Sequence, residues 1–583
     1  MVFRKSFLLL ILYQNKNIKH FYGYMAIALL VSLGSCGKTE TDKTFGVLAE
    51  QGMVVSANPL ASEIGLEVLK SGGNAFDAAI AVKYALAVTY PVAGNIGGGG
   101  FMVYRTADGD VGALDFRETA PLEAYRDMYL DESGNVLFGL SRIGHLSAGV
   151  PGTVAGMDEV YSRFGTLPFE NLIQPAIDLA QKGYVNTAFQ AEQINRFQFE
   201  FSEVNTQIPH LVRDESWAEG DTIYFKDLAK TLERIRDFGR DGFYTGETAD
   251  LIVQEMEAGG GIITRKDLIA YEAVWREPIS IDYKNYRVIS MPPSSSGGVA
   301  VAQLMLGSEA YDFSEMGHNS AGSIHIMTEL MRRVFADRAT YMGDTDFVEV
   351  PIQELLDKEY IRSRNASINP DKATPSTEIK EGEVSRIESF ETTHFSIVDP
   401  FGNAVSITTT INSYFGSKVM VAGAGFFLNN EMDDFSAKPG VANQFGLIGG
   451  EANAIIPGKR MLSSMTPTIV EKDGNLFLIL GTPGGSTIIT NVYQVIMNVL
   501  EHDMTMQEAV NARKIHAQWL PDMIVMEEGA ADSLTVDSLQ DMGHMLNIIP
   551  QIGRFQAIMK HENGRLEGAA DITRTGDSTA KGF

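Results

Sequence analysis

A threonine inside the chain, Thr392, has the surroundings of a nucleophile that becomes active when the chain is cut beside it. Residues 391–399 read Glu-Thr-Thr-His-Phe-Ser-Ile-Val-Asp and resemble a protein start within a precursor. A threonine hydroxyl alone is a poor nucleophile because no base removes its proton. Scission between Glu391 and Thr392 would place a free α-amine, with a pKa of about 7.7–8.0, beside that hydroxyl. One cleavage would therefore create nucleophile and base together.

A second threonine, Thr410, is expected to lie opposite Thr392. Two strand-like runs within residues 393–411 flank a turn that contains Pro, Phe and Gly, which predicts a β-hairpin. A turn centred on Phe401 would pair Thr392 with Thr410, so that the Thr410 hydroxyl could orient or polarise the nucleophile. The alternative is that Thr408–Thr410 reflect only the strand preference of threonine.

A glycine pair, Gly484 and Gly485, lies between an apolar run and a helical pattern. Residues 476–480 predict a buried strand, and a helix is expected from about Thr487. Backbone N–H groups near a helix start are free to bind a developing oxyanion, and glycine lets substrate approach closely. A tight turn without a catalytic role is the alternative.

Acidic and amide side chains cluster at residues 428–436, Leu-Asn-Asn-Glu-Met-Asp-Asp-Phe-Ser. Glu431 and Asp434 could bind an α-ammonium group. The spacing does not fit a calcium loop of the EF-hand type. Taken alone, the cluster is better explained as solvated surface.

Composition excludes several classes of function. The chain has 583 residues, a net charge of −27 and no dense Lys/Arg cluster, so we expect no nucleic-acid binding. One cysteine permits no internal disulfide and no Cys-x-x-Cys metal site. The ten histidines form no His-Glu-x-x-His pair, and we predict neither a metal nor a cofactor.

The single cysteine follows an apolar segment at the N-terminus. Residues 25–35 are apolar and end in small residues, which is typical of a secretory signal. Residues 33–36, Leu-Gly-Ser-Cys, also resemble a bacterial lipobox, in which the cysteine carries lipid. We therefore expect residues 1–36 to be a leader and the protein to be exported, periplasmic or at the cell surface, and anchored at Cys36. A plain signal peptide is the alternative.

The remaining pattern predicts mixed secondary structure. Helices are expected at residues 61–71 and 74–88, and a hairpin at residues 97–117. The glycine-rich run at residues 95–101 lacks the Lys-Ser/Thr of a P-loop and precedes a strand. We therefore expect close backbone packing there rather than phosphate binding.

Helical patterns predominate over residues 150–390, and strands alternate after Thr392. Residues 371–386 are polar, charged and poor in apolar side chains, which predicts an exposed, mobile linker just upstream of Thr392.

Taken together, these motifs resemble the γ-glutamyltranspeptidase family, whose members are also called glutathione hydrolases, over about residues 46–583. The matching stretches are residues 73–79, 94–101, 115–118, 392–399, 430–440, 462–467 and 483–486. The resemblance implies the N-terminal-nucleophile hydrolase fold, an α+β four-layer αββα sandwich. It also implies self-cleavage between Glu391 and Thr392 into a large subunit, 37–391, and a small subunit, 392–583, that share one domain.

The resemblance further assigns roles to site residues. Thr392 would be the nucleophile, Thr410 its hydroxyl partner, and Gly484 and Gly485 the oxyanion hole. The residues expected to hold the substrate's α-carboxylate are Arg117, Ser463 and Ser464, and those expected on its α-amino side are Asn412, Glu431 and Asp434. Thr392 would form a γ-glutamyl ester and release an amine, and water, an amino acid or a peptide would then accept the γ-glutamyl group.

One departure and two alternatives remain. Phe445 stands where several bacterial members carry a tyrosine over the site, and a phenylalanine cannot donate that hydrogen bond. A glutaryl or cephalosporin-type acylase of the same fold is the nearest alternative function. A non-catalytic lipoprotein that binds amino acids or peptides is an alternative of a different class.

Overall fold

Strands from both sides of Thr392 combine in two central antiparallel sheets. In the computed structural model, which describes residues 43–137, 139–379, 392–444 and 446–583, sheet A has seven strands. Their spatial order is Val47–Ala49, Leu566–Ala570, Gln556–Lys560, Asn475–Gly481, Thr468–Lys472, Tyr286–Ser290 and Ile279–Tyr283. Within the same ranges sheet B also has seven, in the order Thr579–Gly582, Met53–Ser56, Thr393–Val398, Ala404–Thr410, Gly99–Arg105, Val111–Asp115 and Val274–Arg276. Each sheet therefore combines upstream and downstream segments.

The two sheets pack face to face, and a helical layer covers each outer face. The helices on the side of sheet B are Pro59–Lys70, Ala75–Thr89, Thr153–Phe164, Phe169–Lys182, Ala188–Val204, Lys226–Phe238, Asp241–Tyr244, Gly246–Gly259 and Arg265–Ala270. Those on the side of sheet A are Gly297–Ser308, Phe313–Met316, Ala321–Tyr341, Ile352–Leu355, Lys358–Asn365, Thr487–His502, Met506–Asn511 and Ser533–Asp541. The α+β, four-layer αββα sandwich is thus confirmed.

Short elements complete the fold. Three 3₁₀ turns in the described residues lie at His145–Ser147, Glu431–Asp434 and Glu451–Asn453. The small sheets join Ile515–His516, Ile524–Glu527 and Leu546–Ile549 in one case, and Tyr184–Val185 with Thr222–Ile223 in the other. Among the helices that the structure describes, none combines the length and the apolar character needed to cross a membrane.

The predicted N-terminal helices are confirmed. The side chain of Asn74 accepts hydrogen bonds from the N–H groups of Phe76 and Asp77, and Asp77 accepts from the N–H of Asn74. This capping box starts helix Ala75–Thr89, every residue of which is buried. Burial on all sides explains why its apolar residues show no preferred face.

The glycine-rich run packs against backbone, as expected. A Cβ on Gly97 would lie 2.0 Å from the carbonyl oxygen of Phe427, and one on Gly98 would lie 2.1 Å from that of Thr410. No side chain fits at these distances. The run therefore allows strand Gly99–Arg105 and its neighbours to approach closely beneath the site.

The segment upstream of Thr392 is mostly helical over its described residues, as predicted, and it also contains three strands between residues 274 and 290. Val274–Arg276 forms one edge of sheet B, and Ile279–Tyr283 forms one edge of sheet A. Their apolar residues alternate over only a few positions, so the strand signal was weak.

The predicted exposed linker is instead held down over its first part. Ala373, Ser376 and Ile379 are buried, and the indole N–H of Trp519 donates to the carbonyl oxygens of Ser376 at 3.1 Å and Ile379 at 2.8 Å. Hydrogen bonds from Trp519 to the backbone thus fix residues 376–379 against the protein, although the composition of the segment is polar. The rest of the predicted linker, from residue 380, lies outside the described residues.

A histidine two residues after Thr392 should make the fold sensitive to acid. His394 is fully buried between the sheets, where its ring hydrogen-bonds Thr408 at 2.9 Å and Ser396 at 3.0 Å. Burial lowers its pKa to about 3, so below pH ~6.5 the unfolded chain binds a proton that the folded chain does not. This contribution to stability is complete above pH ~6.5 and declines by about 1.4 kcal/mol per pH unit below it.

Urea denaturation of wild type and His394→Gln between pH 7.5 and 4.5 tests this expectation. The variant should be less stable at pH 7.5 but should lose less stability on acidification. Parallel pH profiles for the two proteins would contradict it.

Candidate active site

The hairpin places Thr392 immediately before the first residue of strand Thr393–Val398. Thr393 pairs with Thr409, so one step further along the same register sets Thr392 opposite Thr410, as the turn predicted. The turn is fixed by Asp399, whose Oδ1 accepts hydrogen bonds from three successive N–H groups at 2.9 Å. Its Oδ2 accepts from the N–H of Ala75 at 2.8 Å, which ties the hairpin to the buried helix.

Nearly all of the predicted site residues line one small cavity of about 20 Å³, room for roughly one water molecule. The predicted residues that it brings together are Arg117, Thr392, Thr410, Asn412, Glu431, Asp434, Ser463, Ser464 and Gly485. The sequence did not single out five further lining residues: Arg338, Leu447, Leu462, Met465 and Ile488. Gly484, the residue before Gly485, lines a different cavity at the surface.

Both glycines of the pair have backbone conformations that other residues rarely adopt. Gly484 has φ +146° and Gly485 has φ +51°, and helix Thr487–His502 starts just after them. A Cβ on Gly484 would lie 2.4 Å from the Thr487 Oγ1. Within the described chain neither glycine N–H donates to another backbone group, so both are available for a ligand.

Arg117 and two carboxylates form the charged centre of the cavity. Arg117 is buried, and its Nη1 lies 2.7 Å from Glu431 Oε2 while its Nη2 lies 2.5 Å from Asp434 Oδ2. Glu118 lies 3.6 Å away on the other side of Nη1. The family resemblance assigned Arg117 and the two carboxylates to opposite sides of a substrate. In the structure these groups form ion pairs with each other.

The protonation of this cluster reflects burial and charge pairing. Burial opposes the charge of Arg117, but Glu431, Asp434 and Glu118 together raise its pKa. Burial raises the pKa of Glu431 well above its usual range, and Arg117 limits that rise. Burial likewise raises the pKa of Glu118 to about 7. One cation therefore stabilises three closely spaced acidic groups.

Backbone contacts hold these charges in position. The Arg117 N–H donates to Asp115 at 3.0 Å, and the Tyr271 hydroxyl donates to the Arg117 carbonyl at 2.7 Å. Asn429 donates to the carbonyl oxygen of Gly97 at 2.9 Å and accepts from the Glu431 N–H at 3.0 Å. The glycine-rich run thus fixes the turn that carries Glu431.

Thr410 and Asn412 connect the hairpin to that turn. Thr410 Oγ1 accepts from the Asn412 N–H at 2.7 Å, and the Thr410 hydroxyl lies close enough to Glu431 to lower its pKa. Asn412, with φ +73°, donates from its side chain to the Asn430 carbonyl at 2.9 Å. Thr410 therefore lines the same cavity as Thr392, and the Asn412 N–H and Glu431 orient its hydroxyl.

Ser463 and Ser464 lie in the segment just before strand Thr468–Lys472 of sheet A. The Ser463 N–H donates to the Ser294 carbonyl at 3.0 Å, and Ser463 Oγ accepts from the Met465 N–H at 3.1 Å. Ser464 Oγ accepts from Arg338 at 3.2 Å. Arg338 lies within the long helix Ala321–Tyr341, where no local motif marks it as a site residue.

A possible metal-binding group lies outside this cavity. Within the described residues His325, Glu329 and His544 have ligand atoms within 4.8 Å of one another. The Glu329 carboxylate already pairs with Arg332 at 2.7 Å and Arg333 at 2.8 Å. Two guanidinium groups on the Glu329 carboxylate oppose the binding of a cation. We therefore interpret the cluster as a structural network of ion pairs and hydrogen bonds.

Three predicted positions lie outside the described residues: Cys36, Glu391 and Phe445. The loop around residue 445 still reaches the cavity, through Leu447.

Comparison with known proteins accounts for this arrangement. Residues 61–581 match the family model described as gamma-glutamyltranspeptidase. The chain belongs to the γ-glutamyltranspeptidase family. It is 45% identical to the glutathione hydrolase proenzyme of Escherichia coli K12 over 571 residues, 95% of this chain and 98% of that protein. The family resemblance seen in the sequence is therefore confirmed.

Solved structures give the same fold. A cephalosporin acylase from Bacillus halodurans aligns with a TM-score of 0.81 at 26% identity, over 94% of this chain and 98% of that one. A γ-glutamyltranspeptidase chain from Helicobacter pylori aligns with a TM-score of 0.55 at 44% identity, over 60% of this chain and 99% of that one. The γ-glutamyltranspeptidase relatives are thus closer in sequence than the acylase.

Proposed function

We propose that this protein hydrolyses or transfers the γ-glutamyl group of glutathione and other γ-glutamyl amides. The observation that carries the proposal is the cavity that joins Thr392 to Arg117, Glu431 and Asp434. A γ-glutamyl group presents an α-carboxylate and an α-ammonium on one carbon. A site with a guanidinium on one side and carboxylates on the other can bind both charges at once.

The proposal includes maturation by self-cleavage between Glu391 and Thr392, into subunits of residues 37–391 and 392–583. Two findings support it. The Escherichia coli relative is called a proenzyme, and the Helicobacter pylori chain aligns almost completely while covering 60% of this one. The Thr392 hydroxyl would attack the Glu391 carbonyl, and the peptide C–N bond would break, which leaves an ester and a free Thr392 amine. Water would then hydrolyse that ester and release the Glu391 carboxylate and the Thr392 hydroxyl.

In the catalytic cycle the same hydroxyl attacks the γ-carbonyl carbon of the substrate, and its proton passes to the Thr392 α-amine. The N–H groups of Gly484 and Gly485 stabilise the tetrahedral oxyanion. The C–N bond then breaks, the proton passes to the leaving amine, and a γ-glutamyl ester remains on Thr392. Water or an amino acid or peptide amine attacks that ester. No metal or cofactor takes part in the scheme.

Substrate choice separates this proposal from the acylase alternative, since the cephalosporin acylase from Bacillus halodurans has the same fold. A glutaryl group lacks the α-amine, so it leaves Glu431 and Asp434 without an ammonium partner. A hydrogen bond between charged groups contributes about 1.5–3 kcal/mol, so we expect γ-glutamyl anilide to be cleaved roughly 10–100-fold more efficiently than glutaryl anilide.

Initial rates of nitroaniline release from the two anilides, measured on one preparation, give the ratio of kcat/KM. Glu431→Gln should reduce that ratio, because the amide binds ammonium less strongly than a carboxylate. A preference for the glutaryl compound would favour the acylase.

Export and lipid anchoring at Cys36 remain part of the proposal and rest on the leader sequence alone. Expression of the full chain and of Cys36→Ser in a bacterium tests them. We expect the wild type in the membrane fraction and the variant in the soluble exported fraction; equal distribution would contradict the anchor.

A further inference from the structure

Arg338 is a buried cation of the cavity that forms no ion pair with any residue the structure describes. Its Nε donates to Ser296 Oγ at 2.9 Å and its Nη2 donates to Ser464 Oγ at 3.2 Å. No carboxylate of the described chain forms an ion pair with it, although Asp434 is near enough to attract it. Arg117, by contrast, already has Glu431 on one Nη atom and Asp434 on the other.

An uncompensated buried charge is costly, so its position calls for an explanation. Burial lowers the pKa of Arg338 to about 10, which still leaves it protonated at neutral pH. The cavity therefore carries one positive charge that no carboxylate of the described residues pairs. An anionic part of a ligand would supply the missing partner.

The hydrogen bonds of Arg338 also orient the serines. Because Ser464 Oγ accepts from Arg338, its hydroxyl proton points elsewhere and can be donated to a ligand. Ser463 Oγ accepts from the Met465 N–H and is in the same situation. Ser296, which binds Arg338, also donates to the Ser463 carbonyl at 2.7 Å. One guanidinium thus connects to both serines.

We infer that Arg338 is a positioning residue that makes the enzyme select acyl groups bearing a carboxylate, through its charge and its hold on Ser464. This inference rests on the proposed function and deepens it. Arg117 would be shared between the ligand and the acidic groups, whereas Arg338 would serve the ligand's carboxylate alone.

Three anilides separate this role from a merely structural one. The γ-glutamyl compound carries both α groups, the glutaryl compound only the carboxylate, and the 4-aminobutanoyl compound only the amine. For Arg338→Gln we expect kcat/KM to fall by about 10–100-fold on the first two, mainly through KM, and by less than about 3-fold on the third. A charged hydrogen bond has that magnitude.

Arg364→Gln is a matched control. Arg364 pairs with Asp337, the residue next to Arg338, at 2.8 Å and does not line the cavity. Its loss should leave the ratios among the three anilides unchanged. Should Arg338→Gln fail to fold or mature, Arg338→Lys provides the same comparison, with a smaller loss on the two carboxylate compounds because the charge remains.

An equal loss on all three anilides, in either variant, would overturn the role of Arg338 and leave the proposed function intact. A wild-type enzyme that cleaves no γ-glutamyl anilide would overturn the proposed function and this inference with it.

Discussion

Thr392→Ala is expected to leave the purified protein as one uncut chain with no measurable amidase activity. The substitution removes the hydroxyl required for both self-cleavage and acyl transfer. Loss of a catalytic nucleophile commonly lowers kcat by roughly 10⁴–10⁶-fold. A denaturing gel should show two fragments for the wild type and one band for the variant, and N-terminal sequencing of the smaller fragment should begin at Thr392.

Thr393→Val is the matched control. Thr393 is the next residue along the strand, is buried, and its hydroxyl has no hydrogen-bond partner in the described structure. Valine keeps its shape, so cleavage and turnover should be close to wild type. Thr392→Ser, which keeps a hydroxyl, should still be cut. An uncut wild-type chain would support the non-catalytic lipoprotein, whereas a Thr392→Ala chain that is cut would rule out Thr392 as the attacking group.

Arg117→Gln is expected to cause the second largest effect. It removes the cation that Glu431 and Asp434 share, and breaking a buried ion pair commonly costs about 3–5 kcal/mol. We expect kcat/KM for γ-glutamyl anilide to fall by about 10²–10³-fold, and the variant to be less stable than wild type. Arg117→Lys should recover only part of the loss because an ammonium cannot reach both carboxylates in the same geometry.

The instability of Arg117→Gln should depend on pH. Without Arg117 the pKa values of its three acidic neighbours rise further above their unfolded values, so these groups destabilise the folded state most when ionised. The difference in unfolding free energy from wild type should therefore shrink as the pH falls from 8 to 5. Arg126→Gln, which breaks only the exposed pairs with Glu451 and Asp127, should show neither effect. A difference independent of pH would contradict this account.

Local pattern was enough to predict the hairpin and its register. The turn around Phe401 fixes which residues face each other, and that information lies within about twenty residues of sequence. The turn at the glycine pair could be predicted for the same reason, because the apolar run before it and the helical pattern after it are both local. The gathering of Arg117, Glu431 and Ser463 in one cavity came from the family resemblance, since each residue belongs to a distant segment.

Arg338 shows where sequence reasoning stops. The helix Ala321–Tyr341 contains three buried arginines, of which Arg332 and Arg333 lie three and four residues after Glu329 and pair with it on the same helix. Only the tertiary structure shows that Arg338 reaches Ser464. The segment at residues 371–379 illustrates the same limit, because its burial depends on Trp519, far away in the chain.

If the chain is cut at Thr392 as proposed, the combination of upstream and downstream strands in each sheet determines when the cut has to occur. Before the cut, the protein folds as one chain, and its yield does not depend on dilution. After the cut, unfolding separates two chains, and refolding becomes a bimolecular reaction governed by fragment concentration. Denaturation of the mature protein in a dilute compartment would thus be hard to reverse. The fold must be complete before the peptide bond at Thr392 is broken, and the mature enzyme then persists chiefly through slow unfolding.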